Sequence, residues 1–177
     1  GHPLGARRLA MTGAAAPAPA ANLDVTEGFR GAMRRLASGV AIIVARGADA
    51  PTGMAATSIT SLTTDPPAVL VCVNQTAGIH PHLEPGAAIT VNLLSRHQKD
   101  VSAAFGGAVP RERRFEVGAW SADHHGLPML DEAQANLSCT IDSITPYGTH
   151  SIVVARVEAV KLSEAVEPLI YQNGAYL

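Results

Sequence analysis

Ala133-Gln134-Ala135-Asn136-Leu137-Ser138-Cys139-Thr140-Ile141 alternates without a fault. Ala133, Ala135, Leu137, Cys139 and Ile141 point one way; Gln134, Asn136, Ser138 and Thr140 point the other. Successive side chains of a strand face opposite sides of its sheet, so this period of two marks a half-buried antiparallel strand. Working outward, the same grammar recurs. Val40 to Ala45, Ala68 to Val73 and Ile89 to Leu94 are short apolar runs that read as buried strands. Met54 to Thr60 can return on Val40 to Ala45 through the turn-rich Gly47 to Gly53, which predicts a hairpin. Asp65-Pro66-Pro67 breaks the chain. Ser151 to Leu162 is another long strand. The gaps between strands are often too short for repeated helical crossovers. An antiparallel barrel with a few peripheral helices is therefore favoured over a doubly wound sheet.

Two helices are expected. Asp24 followed by Glu27 has the spacing of a capping box, with Asp in place of Ser or Thr. Phe29, Met33, Leu36 and Ala37 then recur at helical spacing, giving a helix from Val25 to Ser38 that Gly39 ends. Arg30, Arg34 and Arg35 fall off the stripe, as a solvated face would. Arg96 to Phe105 reads as the second helix, with Val101, Ala104 and Phe105 facing inward. Gly78 to Gly86 holds at most a short helix. Gly106 to Gly118 is a long charged loop.

The 177 residues suit one domain. With 47% hydrophobic and 16% charged residues the chain can bury a core. Its net charge of -2 and the lack of a basic stripe argue against nucleic acid. No apolar stretch approaches the roughly 20 residues of a membrane span. Cys72 and Cys139 lie in apolar runs and read as inert thiols, so a reducing cytoplasm is the expected compartment. Residues 1–22 read as a disordered lead-in. Its first ten residues look partly like a cloning remnant, Met11 is a candidate native start, and residues 13–21 are nearly all Ala and Pro. Residues 23–177 are then the folded domain.

Several chemistries find no motif. There is no G-x-G-x-x-G after a strand, no P-loop and no G-x-S-x-G elbow. His124-His125 and His80-x-His82 bring no third ligand at a recognisable spacing. Adjacent histidines in a strand also point to opposite faces, so no metal site is expected. What stands out is Gly53-Met54-Ala55-Ala56-Thr57-Ser58-Ile59-Thr60-Ser61-Leu62. Small and hydroxyl-bearing residues at a strand end expose backbone groups to whatever lies above, as a flat, polar-edged ring would need.

That stretch is followed in order by Asp65-Pro66-Pro67, Val71-Cys72-Val73-Asn74-Gln75-Thr76, Val91-Asn92-Leu93-Leu94, Phe105-Gly106-Gly107, Gly148-Thr149-His150 and Pro168-Leu169-Ile170-Tyr171, with Tyr176 near the end. The opening Phe29-Arg30-x-Ala32-Met33-x-x-Leu36-Ala37-Ser38-Gly39-Val40 belongs to the same pattern. From Val25 to Leu177 the chain resembles the flavin reductase-like family with the FMN-binding split barrel. That family includes the small reductase components of two-component monooxygenases.

The resemblance implies a mainly β chain, an antiparallel split β-barrel of Greek-key type with a few peripheral helices. It implies FMN or FAD as cofactor and NADH or NADPH as co-substrate. Thr57, Ser58, Ile59, Thr60 and Ser61 match the segment against the flavin ring. Asn74, Gln75, Thr76 and Ala77 match the segment at the ribityl phosphate, with Gln75 and Ala77 departing from the Arg or Ser often found there. Gly106 and Gly107 match a flavin-contacting turn, while His150 and Tyr171 match positions near the nicotinamide. Trp120 reads as core or dimer packing. Hydride passes between stacked cofactors, so no catalytic acid or base is expected. The implied assembly is a homodimer supplying reduced flavin to a flavin-dependent monooxygenase. A split-barrel oxidase acting directly on a substrate, or a non-catalytic flavin-binding protein, is the alternative.

Overall fold

The structure is a computed structural model that describes residue 15 and residues 24–177. The lead-in expected over residues 1–22 lies outside the described residues, apart from residue 15. In chain order the elements are α1 (Val25–Met33), β1 (Ser38–Gly39), β2 (Ala41–Arg46), β3 (Pro51–Ala56), β4 (Ile59–Thr64), β5 (Pro67–Asn74), β6 (Ala88–Leu93), α2 (Lys99–Ala103), β7 (Trp120–Ala122), β8 (Pro128–Leu130), β9 (Ala135–Tyr147), β10 (His150–Leu162), β11 (Ile170–Gln172) and β12 (Ala175–Tyr176). The chain is mainly β.

Seven strands form one antiparallel sheet in the order β3-β2-β6-β9-β10-β5-β4. The expected single strand over Met54 to Thr60 is in fact two, split at residues 57–58. The β2–β3 hairpin forms as expected, with Ile43 opposite Met54. β3 and β4 occupy the two edges of the sheet, yet only two residues join them. A flat seven-stranded sheet would hold its edges about 29 Å apart. A two-residue link spans at most about 11 Å. The sheet therefore curls until its edges approach, with no ladder between β3 and β4.

Curling creates two apolar clusters. One contains Ile43, Val71, Val73, Ile89, Val91, Cys139, Ile141 and Val153. The other contains Val40, Ile42, Val44, Leu94, Val101, Phe105, Leu130 and Leu169. β2 faces both, which is why its sequence is continuously apolar. Burial pushes the Cys139 thiol up to about 12, helped by the charges of Glu158 and Asp123, so it stays protonated and unreactive.

The polar face of β9 is a correction to the half-exposed strand expected. Asn136 and Ser138 are buried, because the β7–β8 hairpin covers them. Asn92 is the junction: its Oδ1 accepts from Leu130 N at 2.9 Å and from Asn136 Nδ2 at 2.8 Å, and its Nδ2 donates to Ile42 O at 3.1 Å. Trp120 packs in the core against Phe105 and Phe115, with ring centroids 5.4 and 5.0 Å away.

α1 starts as expected, with the Asp24 carboxylate accepting from Glu27 N at 3.0 Å. It ends at Met33, five residues early, because Ser38 and Gly39 pair with Tyr171 and Ile170 of β11. Its apolar stripe is not buried: Phe29 is 62% and Met33 48% exposed, and Leu36 just beyond the helix is 62% exposed. The second helix is also shorter than expected. It passes at Ala104 into a wider turn that ends at Ala108, while Val101, Ala104 and Phe105 are buried as anticipated.

Candidate functional site

The site lies where the curled sheet's two edges approach. Thr57 and Ser58 form the link between β3 and β4 and are exposed. Ser58 O accepts from Cys72 N at 3.0 Å and Ser58 Oγ donates to Cys72 O at 2.8 Å, which fixes the link against β5. The serine hydroxyl can still accept a hydrogen bond. Thr57 opens onto a cavity of about 390 Å³ that also contains Gly106, Tyr171, Ser102 and Tyr176. Thr57, Ser58, Ile59 and Thr60 line a larger neighbouring cavity of about 730 Å³, floored by Leu70, Cys72, Leu93 and Leu94. Ser61 lines neither and sits farther along the β4 edge.

Gly106 and Gly107 provide the open wall. A Cβ at either position would meet nothing within 4 Å, and Gly107 has φ +116°, where a side chain would be strained. The preceding Phe105 anchors this turn. A Cβ on Gly53 would lie 2.7 Å from the Phe105 ring, so β3 and the turn pack backbone against aromatic. Tyr171 stacks edge-on with Tyr176 at 5.5 Å, and Tyr176 OH meets Ser102 Oγ at 2.6 Å.

Asn74, Gln75, Thr76 and Ala77 form a turn at the end of β5, two residues beyond the Ser58–Cys72 contact. The turn is largely satisfied internally. Thr76 N and Oγ1 both donate to Asn74 Oδ1, at 2.9 and 2.8 Å, and Ala77 N donates to Asn74 O at 3.0 Å. Gln75 Nε2 donates to the main-chain oxygen of His150 at 2.7 Å, and His150 stands directly opposite Asn74 in the ladder. The His150 ring is exposed, with Nδ1 2.9 Å from Thr149 Oγ1.

Thr57, Gly106 and Tyr171 thus share one cavity, and Asn74 to Ala77 share a rim with His150. The structure does not bring His150 and Tyr171 to one cavity. Two residues escaped the sequence reading. Ser102 looked like an ordinary helix position. Arg111 lay inside a loop read only as charged, yet a Cβ on Gly78 would fall 2.5 Å from its Nη1. Its guanidinium therefore rests on the chain just after the Asn74–Ala77 turn, and no carboxylate pairs with it among the described residues. The glycine after Ala77 was the available signal. Open glycines, a hydroxyl-rich link, an apolar floor and a cation beside a turn fit a flat aromatic ring carrying a phosphate.

A curled antiparallel sheet with this rim defines the class, and comparison with known proteins agrees: residues 33–177 match the family described as flavin reductase like domain. The chain belongs to that family. It is 36% identical over 168 residues to FMN reductase (NADH) RutF 2 of Rhizobium rhizogenes (strain K84 / ATCC BAA-868), covering 95% of each protein. It is 36% identical over 154 residues to the reductase component of the FADH(2)-dependent resorcinol hydroxylase of Rhizobium sp. (strain MTP-10005), covering 86% of each. Among solved structures it superposes on the Streptomyces globisporus C-1027 NADH:FAD oxidoreductase SgcE6 with TM-score 0.82 and 26% identity, covering 92% of this chain and 98% of that one.

Proposed function

We propose that the protein is an NADH:flavin oxidoreductase that supplies reduced flavin to a partner oxygenase. The observation that carries this reading is the cavity shared by Thr57, Gly106 and Tyr171 at the mouth of the curled sheet, in a chain whose family and named relatives are flavin reductases. A bound flavin supplies the ring that accepts hydride from the nicotinamide. The chain's own work is positional. Thr57 and Ser58 would offer backbone and hydroxyl groups to a bound flavin. Gly106 and Gly107 would let main chain come close to it. Arg111, beside the Asn74–Ala77 turn, would be the cation for its phosphate, and the apolar floor would help exclude water. Tyr171, in the cavity with Thr57 and Gly106, and His150, on the rim beside Asn74, would contact a nicotinamide from separate sides and help orient it. The fold that goes with this function is a split β-barrel of Greek-key type. The two-residue link between unpaired edge strands supports it.

The deciding assay measures oxidation of NADH and NADPH with FMN, FAD and riboflavin in turn. Rapid NADH oxidation with free flavin is expected. A yellow protein inert to reduced nicotinamide would make it a flavin carrier instead, and turnover only with a third substrate would make it an oxidase.

His150→Ala should lower kcat/KM for NADH roughly tenfold or more, on the order of 1.4 kcal/mol, with a smaller change in flavin affinity. The structural reason is that Gln75 bonds the main-chain oxygen of His150, so the substitution removes the ring and leaves the flavin turn tethered. Stopped-flow reduction at varied NADH, beside a flavin titration, separates the two effects. Unchanged NADH efficiency would remove His150 from the nicotinamide site.

The working assembly is a homodimer, in a compartment reducing enough for two free thiols. The exposed stripe of Phe29, Met33 and Leu36 supports this, because its apolar surface needs cover. Light scattering at micromolar concentration should give twice the chain mass; a monomer would oppose the assignment.

A further inference from the structure

Away from the flavin site, the structure gathers a second set of chemically active groups. His124 and His125 were expected to diverge, as neighbours in a strand do. They lie instead in the turn of the β7–β8 hairpin, between Ala122 and Pro128, where strand alternation does not apply. Their rings are 4.0 Å apart, centroid to centroid. Both Nε2 atoms face the same oxygen of Glu158, at 3.2 and 3.1 Å. Glu158 is 33 residues or more away in sequence, so no spacing rule could have found it.

A local distortion delivers that carboxylate. In the β9–β10 ladder Val157 pairs with Cys139 and Ala159 with Ser138, leaving Glu158 as the extra residue of a bulge. Bulges re-aim a side chain relative to the regular ladder. Thr140 donates to the other Glu158 oxygen and orients it. The histidine turn is equally fixed. Asp123 Oδ1 accepts from His125 N and from Leu127 N, both at 2.9 Å, and Arg46 Nη2 donates to His125 O at 2.8 Å. Asp123 Oδ2 is buried with no partner among the described residues.

We propose that His124, His125 and Glu158 form a zinc-binding site that staples the β7–β8 hairpin to β10. The three donor atoms lie within 4.8 Å of one another. In a tetrahedral site with bonds of about 2.0 Å, donors sit about 3.3 Å apart, close to the two spacings observed between histidine and glutamate. Two imidazoles and one carboxylate are a donor set that Zn²⁺ accepts, with water as the fourth ligand. Thr140, Asp123 and Arg46 supply the outer contacts that hold ligands in place. The site is part-exposed, with side-chain accessibilities of 47%, 32% and 29%, so an ion can enter. It has no residue in common with the flavin cavities, and its role is to hold the cover over the buried face of β9.

The test is isothermal titration of the metal-stripped full chain with Zn²⁺, followed by thermal unfolding with and without the ion. Wild type should bind about one equivalent per chain and melt higher with zinc. Glu158→Gln and His125→Ala should each weaken binding by about tenfold or more and abolish the shift in melting. His80→Ala/His82→Ala, which removes the other histidine pair, should bind as wild type does. Substituting Co²⁺ provides a readout independent of stability, since tetrahedral Co²⁺ absorbs strongly in the visible and the band should vanish in Glu158→Gln. The proposal is overturned if no stoichiometric binding occurs, or if both ligand variants bind with wild-type affinity.

Discussion

Phe105→Ala should lower the stability of the protein by about 4 kcal/mol, the usual cost of emptying a core aromatic site. Phe105 is 3% exposed. It meets Phe115 edge-to-face at 5.1 Å and Trp120 at 5.4 Å, and Gly53 has no side chain because this ring occupies the space. β3 is an edge strand, so little else can collapse into the void. The functional effect should be large as well, because the next two residues are Gly106 and Gly107. A slack turn no longer presents main chain to the cavity that Thr57 and Tyr171 share. Equilibrium unfolding in urea measures the first effect and flavin titration the second. A loss below about 1.5 kcal/mol would show that the aromatic cluster is not the anchor described.

Asn92→Ala should cost about 3 kcal/mol, through polar groups and not volume. Its amide bonds both sheet and hairpin, accepting from Leu130 N and Asn136 Nδ2 while donating to Ile42 O. Asn92 is fully buried. Truncation leaves the Leu130 amide without that acceptor, and a stranded buried donor costs about 1–3 kcal/mol before the void is counted. Hydrogen exchange should show it directly, with the Leu130 amide losing protection while amides of β2 and β6 keep theirs. Unaltered protection at Leu130 would mean that the hairpin is held without Asn92, by its apolar contacts and by the bonds from Thr90 to Pro128 O and from Asn136 to Leu130 O.

Both effects depend on contacts that the sequence indicated only in part. Phe105 was legible as an inward residue because helical spacing aligned it with Val101 and Ala104. Its partners Phe115 and Trp120 were not, since they lie across an irregular loop with no period to read. Asn92 sat inside a strand whose apolar neighbours marked it as buried, while nothing local showed that it would meet Asn136 and Leu130. At the rim, Thr57, Ser58, Gly106 and Gly107 were found through ordered motifs, and the structure places three of the four around adjoining cavities. Arg111 was missed because its contact with Gly78 spans separate loops.

The sequence by itself determined the long strands β2, β5, β6, β9 and β10, the capped start of α1 and the family. Alternation, capping and glycine turns are set by neighbours a few residues apart, and motif order survives without knowledge of the fold. Only the tertiary structure decided that Met54 to Thr60 is two strands at opposite edges of one curled sheet. It alone decided that the polar face of β9 is covered, and that a bulge in β10 swings Glu158 to two histidines. Each of these is a pairing between distant segments, fixed by which surfaces must be buried together and by which backbone groups then need partners.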